Sequence, residues 1–237
     1  MSSHKQALVT GASSGIGLAV TRKLLAQNYR VTGISRRGQI AELEDDNFQP
    51  LALDLGDLAE VERQLGELLH ERQFDCFVHA AGRGDFGSIE QFSRLQIEQS
   101  MRVNLMSGMI ICRSLVPSMR RRGQGRIVFI GSESALQAGR KGALYSAAKF
   151  GLRGFCQALR EDCAADGIQV SQVNPGMVRS PFFDDLAFAP GALAANAIEV
   201  DDVAAVVMQI LQSSADIVID EVNLTPRVKS IDFTRKA

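Results

Sequence analysis

The chain has no tryptophan, and aromatic residues make up only 6% of its 237 residues. Lysine and arginine (26) nearly balance aspartate and glutamate (27), so that the formal net charge is −1. Proteins that bind nucleic acid rely on basic surfaces, and many of them stack bases on aromatic rings. The composition therefore argues against a nucleic-acid partner, and the absence of a charged field argues equally against an anionic membrane surface.

The sequence also lacks a long hydrophobic run. A membrane-spanning helix needs about 20 consecutive apolar residues, and no segment approaches that length. The N-terminus passes almost directly into the apolar residues 7–9, without the long hydrophobic region and cleavage site of an export signal. We therefore expect a cytoplasmic protein without a membrane contact.

Cysteine pairs with metal-site or redox spacing are missing as well. The chain contains no C-x-x-C motif, and its three histidines lack metal-ligand spacing. The cysteines are far apart, each in an apolar stretch: Cys76, Cys112, Cys156 and Cys163. We interpret them as reduced core thiols and predict neither a disulfide framework nor a metal site.

No linker, low-complexity tract or internal repeat interrupts the sequence. Short β-like apolar runs alternate instead with longer stretches of helical period, which is typical of βαβ units on a parallel sheet. We predict strands at 7–10, 30–34, 50–53, 75–80, 125–130, 168–174 and 216–224. The predicted architecture is a single α/β domain over residues 1–237, with a doubly wound sheet of about seven parallel strands and helices on both faces.

A glycine-rich turn joins the first predicted strand to the first predicted helix. It has the spacing G-x-x-x-G-x-G, which differs from G-x-G-x-x-G. Glycine lets the backbone approach a pyrophosphate, and the helix N-terminus offers unpaired N–H groups and a positive dipole end. An ordinary tight turn is the alternative, but the place at the first β–α junction favours a dinucleotide site. The predicted contacts are Gly11, Ser13, Ser14, Gly15, Ile16 and Gly17.

The second predicted strand ends in Ser35, Arg36 and Arg37. Many NAD-binding chains carry an acidic residue here, which binds the ribose hydroxyls. A planar guanidinium instead suits the 2′-phosphate of NADP(H), because it can form two parallel hydrogen bonds with phosphate oxygens. A solvated arginine pair is the alternative interpretation, and NADP(H) is the predicted cofactor.

Further short motifs follow in a recognisable order. They include an asparagine at 104, a serine at 132 after an apolar strand, a Y-x-x-x-K motif at 145–149 and a P-G pair at 175–176. Together with the glycine turn, they make the sequence resemble the short-chain dehydrogenase/reductase family of the NADP(H)-preferring type, over nearly the whole chain. The resemblance implies a Rossmann-type fold and a homodimer or homotetramer. It implies the catalytic set Asn104, Ser132, Tyr145 and Lys149, with a local distortion of the helix at Asn104 and a water link from Lys149.

The resemblance also implies further coenzyme contacts. They are Asp54 and Leu55 after the third strand, Ala80, Ala81 and Gly82 after the fourth, Pro175, Gly176, Val178 and Ser180 after the sixth, and Tyr145 with Lys149. Two positions depart from the family pattern. His79 begins the segment that reads N-N-A-G in the family, so the usual amide side chains are missing and we expect a less rigid turn. Ser180 replaces a threonine and keeps the hydroxyl.

Tyr145 and Lys149 are four residues apart, so that on a helix both side chains project from one face. A free tyrosine has a pKa near 10 and exchanges protons poorly at neutral pH. We expect the ammonium group of Lys149, together with an oxidised nicotinamide, to lower that pKa. Tyr145 would then act as general acid in reduction and general base in oxidation, with Ser132 donating a hydrogen bond to the substrate oxygen. In isolation the pair would equally fit a helix surface.

Residues 179–197 mix phenylalanine with helix breakers and small residues, and we predict that they form a lid over a small-molecule carbonyl or alcohol. The predicted pocket residues are Phe86, Ser134, Gln137 and Phe182. Two other functions fit the same fold. One is a non-catalytic NADP(H)-sensing or scaffold protein, and the other is an epimerase or dehydratase that recycles its bound cofactor. The intact serine, tyrosine and lysine argue against the first.

Overall fold

The computed structural model describes residues 4–38 and 43–233. Within these ranges the strands are β1 (Gln6–Thr10), β2 (Arg30–Ser35), β3 (Phe48–Ala52), β4 (Cys76–His79), β5 (Gly125–Ile130), β6 (Ile168–Pro175), β7 (Val178–Arg179), β8 (Ala189–Pro190), β9 (Ile198–Glu199), β10 (Glu221–Leu224) and β11 (Ile231–Asp232). The α-helices are α1 (Gly15–Ala26), α2 (Leu58–Glu71), α3 (Arg94–Met101), α4 (Ser107–Arg122), α5 (Ala143–Cys163) and α6 (Val200–Leu211). None of these described helices is both long and apolar enough to cross a bilayer.

Seven of the strands form one sheet in the order β3-β2-β1-β4-β5-β6-β10, and every neighbouring pair is parallel. The strand order reverses between β1 and β4, because the chain crosses the sheet there from β3 back to β4. In open α/β sheets, ligands bind at the carboxyl ends of the strands beside such a reversal. The structure therefore confirms the predicted Rossmann-type fold and places the glycine turn next to its ligand-binding crevice.

Two hydrophobic cores lie on opposite faces of the sheet because side chains alternate along each strand. On β1, Ala7 and Val9 pack into the core that includes α1 and α6. Leu8, between them, packs into the core that includes α2, α4 and α5. All three are fully buried, and burial of a leucine side chain contributes about 2 kcal/mol to the free energy of folding. The paired cores hold the sheet rigid beneath its carboxyl edge.

The four cysteines are free and buried, in agreement with their interpretation as core thiols. Burial raises the pKa of the Cys76 and Cys156 thiols to about 12. Thiolates are the reactive form of cysteine, so at neutral pH these two side chains behave as small apolar groups.

The seventh predicted strand, 216–224, begins too early, because β10 starts only at Glu221. The Gln169 side chain explains the difference, since its amide donates to the carbonyl groups of Ser214, Ala215 and Ile217. These bonds hold the residues before β10 in a loop, so that they do not pair with β6 as a strand. The other six predicted strands agree with the structure to within two residues at each end. The short pairs β7–β9 and β8–β11 were not predicted.

Candidate active site

The glycine turn between β1 and α1 forms the floor of the site. Gly11 (φ +69°) and Gly15 (φ +52°) adopt the left-handed conformation that favours glycine. A Cβ atom on Gly17 would lie 2.2 Å from the Gly11 carbonyl oxygen. Ser14 precedes α1, and its side chain forms no capping bond with the first N–H groups of the helix. This bare backbone cradle fits a pyrophosphate.

A buried hydrogen-bonded link joins the carboxyl ends of β1 and β4. Thr10 Oγ1 lies 2.9 Å from His79 Nδ1, and the Ala81 N–H donates to the same oxygen at 3.2 Å. Since Thr10 Oγ1 accepts that bond, its own proton is available to His79. Burial, and secondarily the charge of Lys149, lower the pKa of His79 to about 3, so its ring is neutral. The His79 imidazole thus forms a link of its own at this turn, and the expectation of a less rigid turn stays a prediction.

Asn104 lies fully buried in a π-helical turn, Arg102–Met106, that joins α3 to α4. The predicted distortion of this helix is thus confirmed. Asn104 Oδ1 accepts a hydrogen bond from the Arg83 N–H (2.9 Å), and Asn104 Nδ2 donates to the Arg83 carbonyl (3.1 Å). An ideal Cβ on Gly82 would lie 3.2 Å from Asn104 Oδ1 and 3.7 Å from Lys149 Nζ. Asn104 and Lys149 therefore both approach Gly82; their water link stays a prediction.

Three predicted catalytic side chains meet beyond the end of β5. Tyr145 and Lys149 occupy one face of α5 and are only 6% and 3% exposed, while Ser132 follows β5. Lys149 Nζ donates to the Ile130 carbonyl at 2.9 Å and lies 5.7 Å from the centre of the Tyr145 ring. Ser132 Oγ accepts the Ser134 N–H at 3.1 Å, and Ser132 is near enough to Tyr145 to lower the pKa of its hydroxyl. The structure thus joins the side chains as the sequence predicted.

Burial controls the protonation of this cluster. It raises the pKa of Tyr145 to about 12, against a smaller lowering by the hydrogen bond with Ser132. Burial also lowers the pKa of Lys149 to about 8. Both shifts have one cause, because an apolar surrounding disfavours the charged form of each group. The prediction that Lys149 lowers the tyrosine pKa is therefore wrong for the protein's own side chains, and Tyr145 carries its proton at neutral pH.

The two arginines after β2 lie at the tip of a turn. Gly38 (φ +68°) closes this turn, and its N–H donates to the Ser35 carbonyl at 3.3 Å. Arg36 and Arg37 are exposed, and neither forms a hydrogen bond or ion pair with another residue in the described ranges. Their guanidinium groups are therefore available to an anion at the carboxyl end of β2.

Other predicted coenzyme residues line the same edge of the sheet. Asp54 Oδ1 accepts the Gly56 N–H at 2.8 Å, which stabilises the turn after β3 beside the buried Leu55. Past β6, the Gly176 N–H donates to the Leu224 carbonyl at 2.8 Å. Ser180 reaches the glycine turn, since an ideal Cβ on Gly15 would lie 3.5 Å from the Ser180 Cβ. The predicted coenzyme residues after β3, β6 and β7 thus lie along the same carboxyl edge of the sheet as the glycine turn.

Aromatic rings surround Tyr145 on its open side. The centres of the Phe86 and Phe182 rings lie 4.9 and 6.0 Å from the Tyr145 ring, as their assignment to the pocket predicts. Gln137, in contrast, is exposed and its side chain forms no hydrogen bond with the described residues, so the structure does not bring it into this cluster. Phe188, which belongs to the predicted lid, lies 5.0 Å from Phe86.

The second half of the predicted lid is attached to the C-terminal segment. Strand β11 pairs antiparallel with β8, and the Val228 N–H donates to the Ala195 carbonyl at 2.9 Å. Lys229 Nζ forms an ion pair with Glu133 Oε2 at 2.8 Å, next to Ser132. Sequence patterns did not predict this attachment, because β11 has only two residues and no periodicity.

The fold and the serine, tyrosine and lysine cluster define a Rossmann-type protein with a site at the carboxyl edge of its sheet. The model of the short chain dehydrogenase family matches residues 5–189, and the chain belongs to this family of oxidoreductases. An uncharacterised oxidoreductase of Staphylococcus saprophyticus is 30% identical over 232 residues, which cover 94% of this chain and 97% of that protein. The uncharacterised oxidoreductase YbbO of Escherichia coli K12 is 31% identical over 186 residues, covering 77% and 69%. The crystal structure of a metagenomic short-chain oxidoreductase in complex with NADP superimposes with a TM-score of 0.78 at 28% identity, covering 95% and 98%.

Proposed function

We propose that this oxidoreductase uses NADP(H) and interconverts a carbonyl compound and an alcohol, with Tyr145 as general acid and base. The observation that supports the proposal most strongly is the burial of Tyr145 and Lys149 on one face of α5, with Lys149 Nζ 5.7 Å from the centre of the Tyr145 ring. A helix surface would expose the tyrosine and the lysine, whereas here both are almost fully buried. Two polar groups held out of water beside a nucleotide cradle are typical of a catalytic site.

The residues present fit a dinucleotide. The cradle has no room for a side chain at Gly17, and Gly11 lies close enough to Ala81 that its Cβ would come within 3.0 Å of that backbone. Gly11, Gly15 and Gly17 with the α1 N-terminus would hold the pyrophosphate, and Lys149 would hold ribose hydroxyls. When bound, the nicotinamide supplies or accepts the hydride.

The preference for NADP(H) rests on Arg36 and Arg37. Both are exposed and without ion pairs in the described structure, at the strand end where a 2′-phosphate would lie. A guanidinium and a phosphate form charge-assisted hydrogen bonds, whereas the hydroxyl of NAD(H) offers no charge. The metagenomic relative described above was crystallised with NADP, which agrees with this assignment.

The side chains of the site can provide the proton that a reduction consumes. As hydride reaches the carbonyl carbon, the carbon–oxygen π bond breaks and the oxygen takes the proton from the Tyr145 hydroxyl. Ser132 donates a hydrogen bond to the same oxygen and stabilises its developing charge. Lys149, with its pKa lowered to about 8, favours the transient tyrosinate and can return a proton to it. In oxidation the same steps run in reverse.

Replacement of Tyr145 by phenylalanine tests the proton transfer. Tyr145→Phe should lower kcat at least about 1,000-fold, because general acid catalysis commonly contributes 10² to 10⁴, while the Kd for NADPH stays within a few-fold. The matched control is Tyr29→Phe, which removes the hydroxyl of the chain's other tyrosine, outside the site, and should keep its activity. Oxidation of NADPH is followed against a panel of ketones and aldehydes.

Substantial turnover in Tyr145→Phe would overturn the proton-donor role. NADPH binding by the wild type without turnover of any carbonyl compound would favour the nucleotide-sensing alternative. A product formed without net NADPH consumption would favour the epimerase or dehydratase alternative.

Replacement of Arg36 tests the coenzyme preference. Arg36→Asp should raise the KM for NADPH at least about tenfold, since loss of a charge-assisted bond costs roughly 1.5–3 kcal/mol, and should change the KM for NADH much less. Arg30→Asp, the same charge change at the exposed opposite end of β2, serves as the control. Equal effects of Arg36→Asp on both coenzymes would contradict the assignment.

A further inference from the structure

Five aromatic rings form a closed circuit around the proposed proton donor. The ring centres are separated by 4.9 Å between Tyr145 and Phe86, 5.0 Å between Phe86 and Phe188, and 5.8 Å between Phe188 and Phe183. Phe183 and Phe182 are 5.2 Å apart, and Phe182 returns to Tyr145 at 6.0 Å. We call this set the aromatic ring cluster. It contains four of the chain's 12 phenylalanines, although residues of this kind are scarce in the sequence.

Three separate segments contribute to the aromatic ring cluster. Tyr145 belongs to α5, and Phe86 belongs to the loop after β4. Phe182, Phe183 and Phe188 belong to the segment between β7 and β8. This segment packs closely on the loop, because an ideal Cβ on Gly84 would lie 2.9 Å from Phe182 Cζ. The open side of Tyr145 is therefore covered by apolar rings of the loop after β4 and of the segment between β7 and β8, whereas Ser132 follows β5.

The charged residues next to these rings in the sequence are carboxylates, since Asp184 and Asp185 follow Phe183 and Asp85 precedes Phe86. Asp85, which precedes Phe86, is only 6% exposed and pairs with Arg83 at 2.9 Å. On the far side of the lid, Arg179 pairs with Glu199. A carboxylate placed among the rings would lose its hydration beside segments that themselves carry carboxylates, and burial of a charge under these conditions is unfavourable.

A substrate that reaches the Tyr145 hydroxyl must separate the lid rings from Tyr145 and Phe86. An aliphatic substrate replaces only the apolar contact area that the separated rings lose. An aromatic substrate also forms edge-to-face or offset ring contacts in place of those that the separation breaks. We propose that the substrate is an uncharged aryl ketone or aldehyde, with its carbonyl at Tyr145 and its ring between Phe86 and the lid phenylalanines Phe182 and Phe188. This inference rests on the proposed function, because it assumes that carbonyl compounds bind at Tyr145.

Three ketones of similar size separate the contributions of aromaticity and charge. Acetophenone carries the aryl ring, cyclohexyl methyl ketone replaces it by an aliphatic ring, and 4-acetylbenzoate adds a carboxylate. We expect kcat/KM to be about tenfold higher for acetophenone than for the cyclohexyl compound, because each aromatic contact corresponds to about two- to tenfold in affinity. The carboxylated ketone should be the poorest substrate of the three. Equal values for the first two, or a preference for 4-acetylbenzoate, would overturn the proposal.

Variants locate the selectivity in the aromatic ring cluster. Phe188→Leu keeps an apolar side chain and should lower kcat/KM for acetophenone by about tenfold, with less than about a threefold effect on cyclohexyl methyl ketone. Phe233→Leu is the matched control, since Phe233 is 80% exposed and lies outside the aromatic ring cluster, and should leave both values unchanged. A uniform loss on both ketones would show that Phe188 positions the site without selecting aryl groups, and would overturn the assignment.

Binding measurements distinguish failure of this inference from failure of the proposed function. Tyr145→Phe saturated with NADPH is titrated calorimetrically with acetophenone and with cyclohexyl methyl ketone. Tighter binding of acetophenone, by about tenfold or more, supports the aryl pocket even if the wild type reduces neither compound, and in that case only the reductase proposal fails. Reduction of both ketones with equal kcat/KM supports the reductase proposal and overturns the aryl pocket.

Discussion

Substitution of Gly17 by alanine is the most direct test of the glycine cradle. An added Cβ would lie 2.2 Å from the Gly11 carbonyl oxygen, 2.6 Å from its carbonyl carbon and 3.1 Å from the Thr10 carbonyl oxygen. All three atoms belong to the backbone, so that no side chain can rotate away, and α1 must move relative to the turn by about 1 Å. Overpacking of this kind costs about 1–3 kcal/mol, and we place Gly17→Ala at the upper end of that range.

The cost converts into two measurable quantities. For a chain of 237 residues, 1 kcal/mol shifts Tm by about 2–4 °C, so Tm should fall by about 6–12 °C. The displaced N–H groups of α1 should weaken NADPH binding by at least about tenfold, equivalent to 1.4 kcal/mol. Circular dichroism at 222 nm measures the first quantity and calorimetric titration with NADPH measures the second.

Gly66→Ala provides a control in which the same substitution should raise Tm instead of lowering it. Gly66 lies exposed within α2, and an added Cβ there would have no neighbouring atom within 4 Å. Alanine is a better helix former than glycine by about 1 kcal/mol, so this variant should gain about 2–4 °C in Tm and bind NADPH as the wild type does. A Gly17→Ala protein with the wild-type Tm and the wild-type Kd would disprove the assigned role of Gly17, because it would show that the backbone clash is relieved without cost.

The buried titratable groups give two further predictions. Histidine has an ordinary pKa of 6.5, and burial lowers the pKa of His79 to about 3 in the folded protein. Between these two pH values the unfolded chain binds a proton that the folded protein does not, so the free energy of unfolding falls as the pH drops, by up to about 1.4 kcal/mol per pH unit. His79→Asn should flatten this dependence in urea unfolding between pH 6.5 and 4.5, and the same slope in both proteins would contradict a buried neutral imidazole. For Lys149, whose pKa falls from 10.5 to about 8, the unfolded chain binds more protons between these values, so stability rises with pH across that window. Below pH 8 the buried ammonium costs roughly 3 kcal/mol, offset by about 1 kcal/mol from its hydrogen bond to Ile130. Lys149→Met should therefore lose activity, but its free energy of unfolding at pH 7 should be about 2 kcal/mol higher than that of the wild type. This gain should disappear toward pH 10.5. A variant less stable than the wild type at pH 7 would show that the buried ammonium does not destabilise the fold.

Features of short range were predictable from the sequence. The alternation of apolar runs with helical stretches depends on periods of 2 and 3.6 residues, so six of the seven sheet strands were located to within two residues. The four-residue spacing of Tyr145 and Lys149 placed both side chains on one helix face. The need for glycine at positions 11, 15 and 17 followed from a sharp backbone turn, which has positive φ at Gly11 and Gly15 and no room for a side chain at Gly17. Each of these inferences needs only residues that are close neighbours along the chain.

Features that depend on distant residues came only from the tertiary structure. Without a nicotinamide, the Tyr145 pKa is raised and not lowered, because a pair of neighbouring residues reveals a charge but not the burial that outweighs it. The bond between Thr10 and His79 joins residues 69 positions apart. The aromatic ring cluster required the loop after β4 and the segment after β7 to meet at α5. Local patterns determined which groups this protein carries, whereas folding determined which of them meet and how far water is excluded from them.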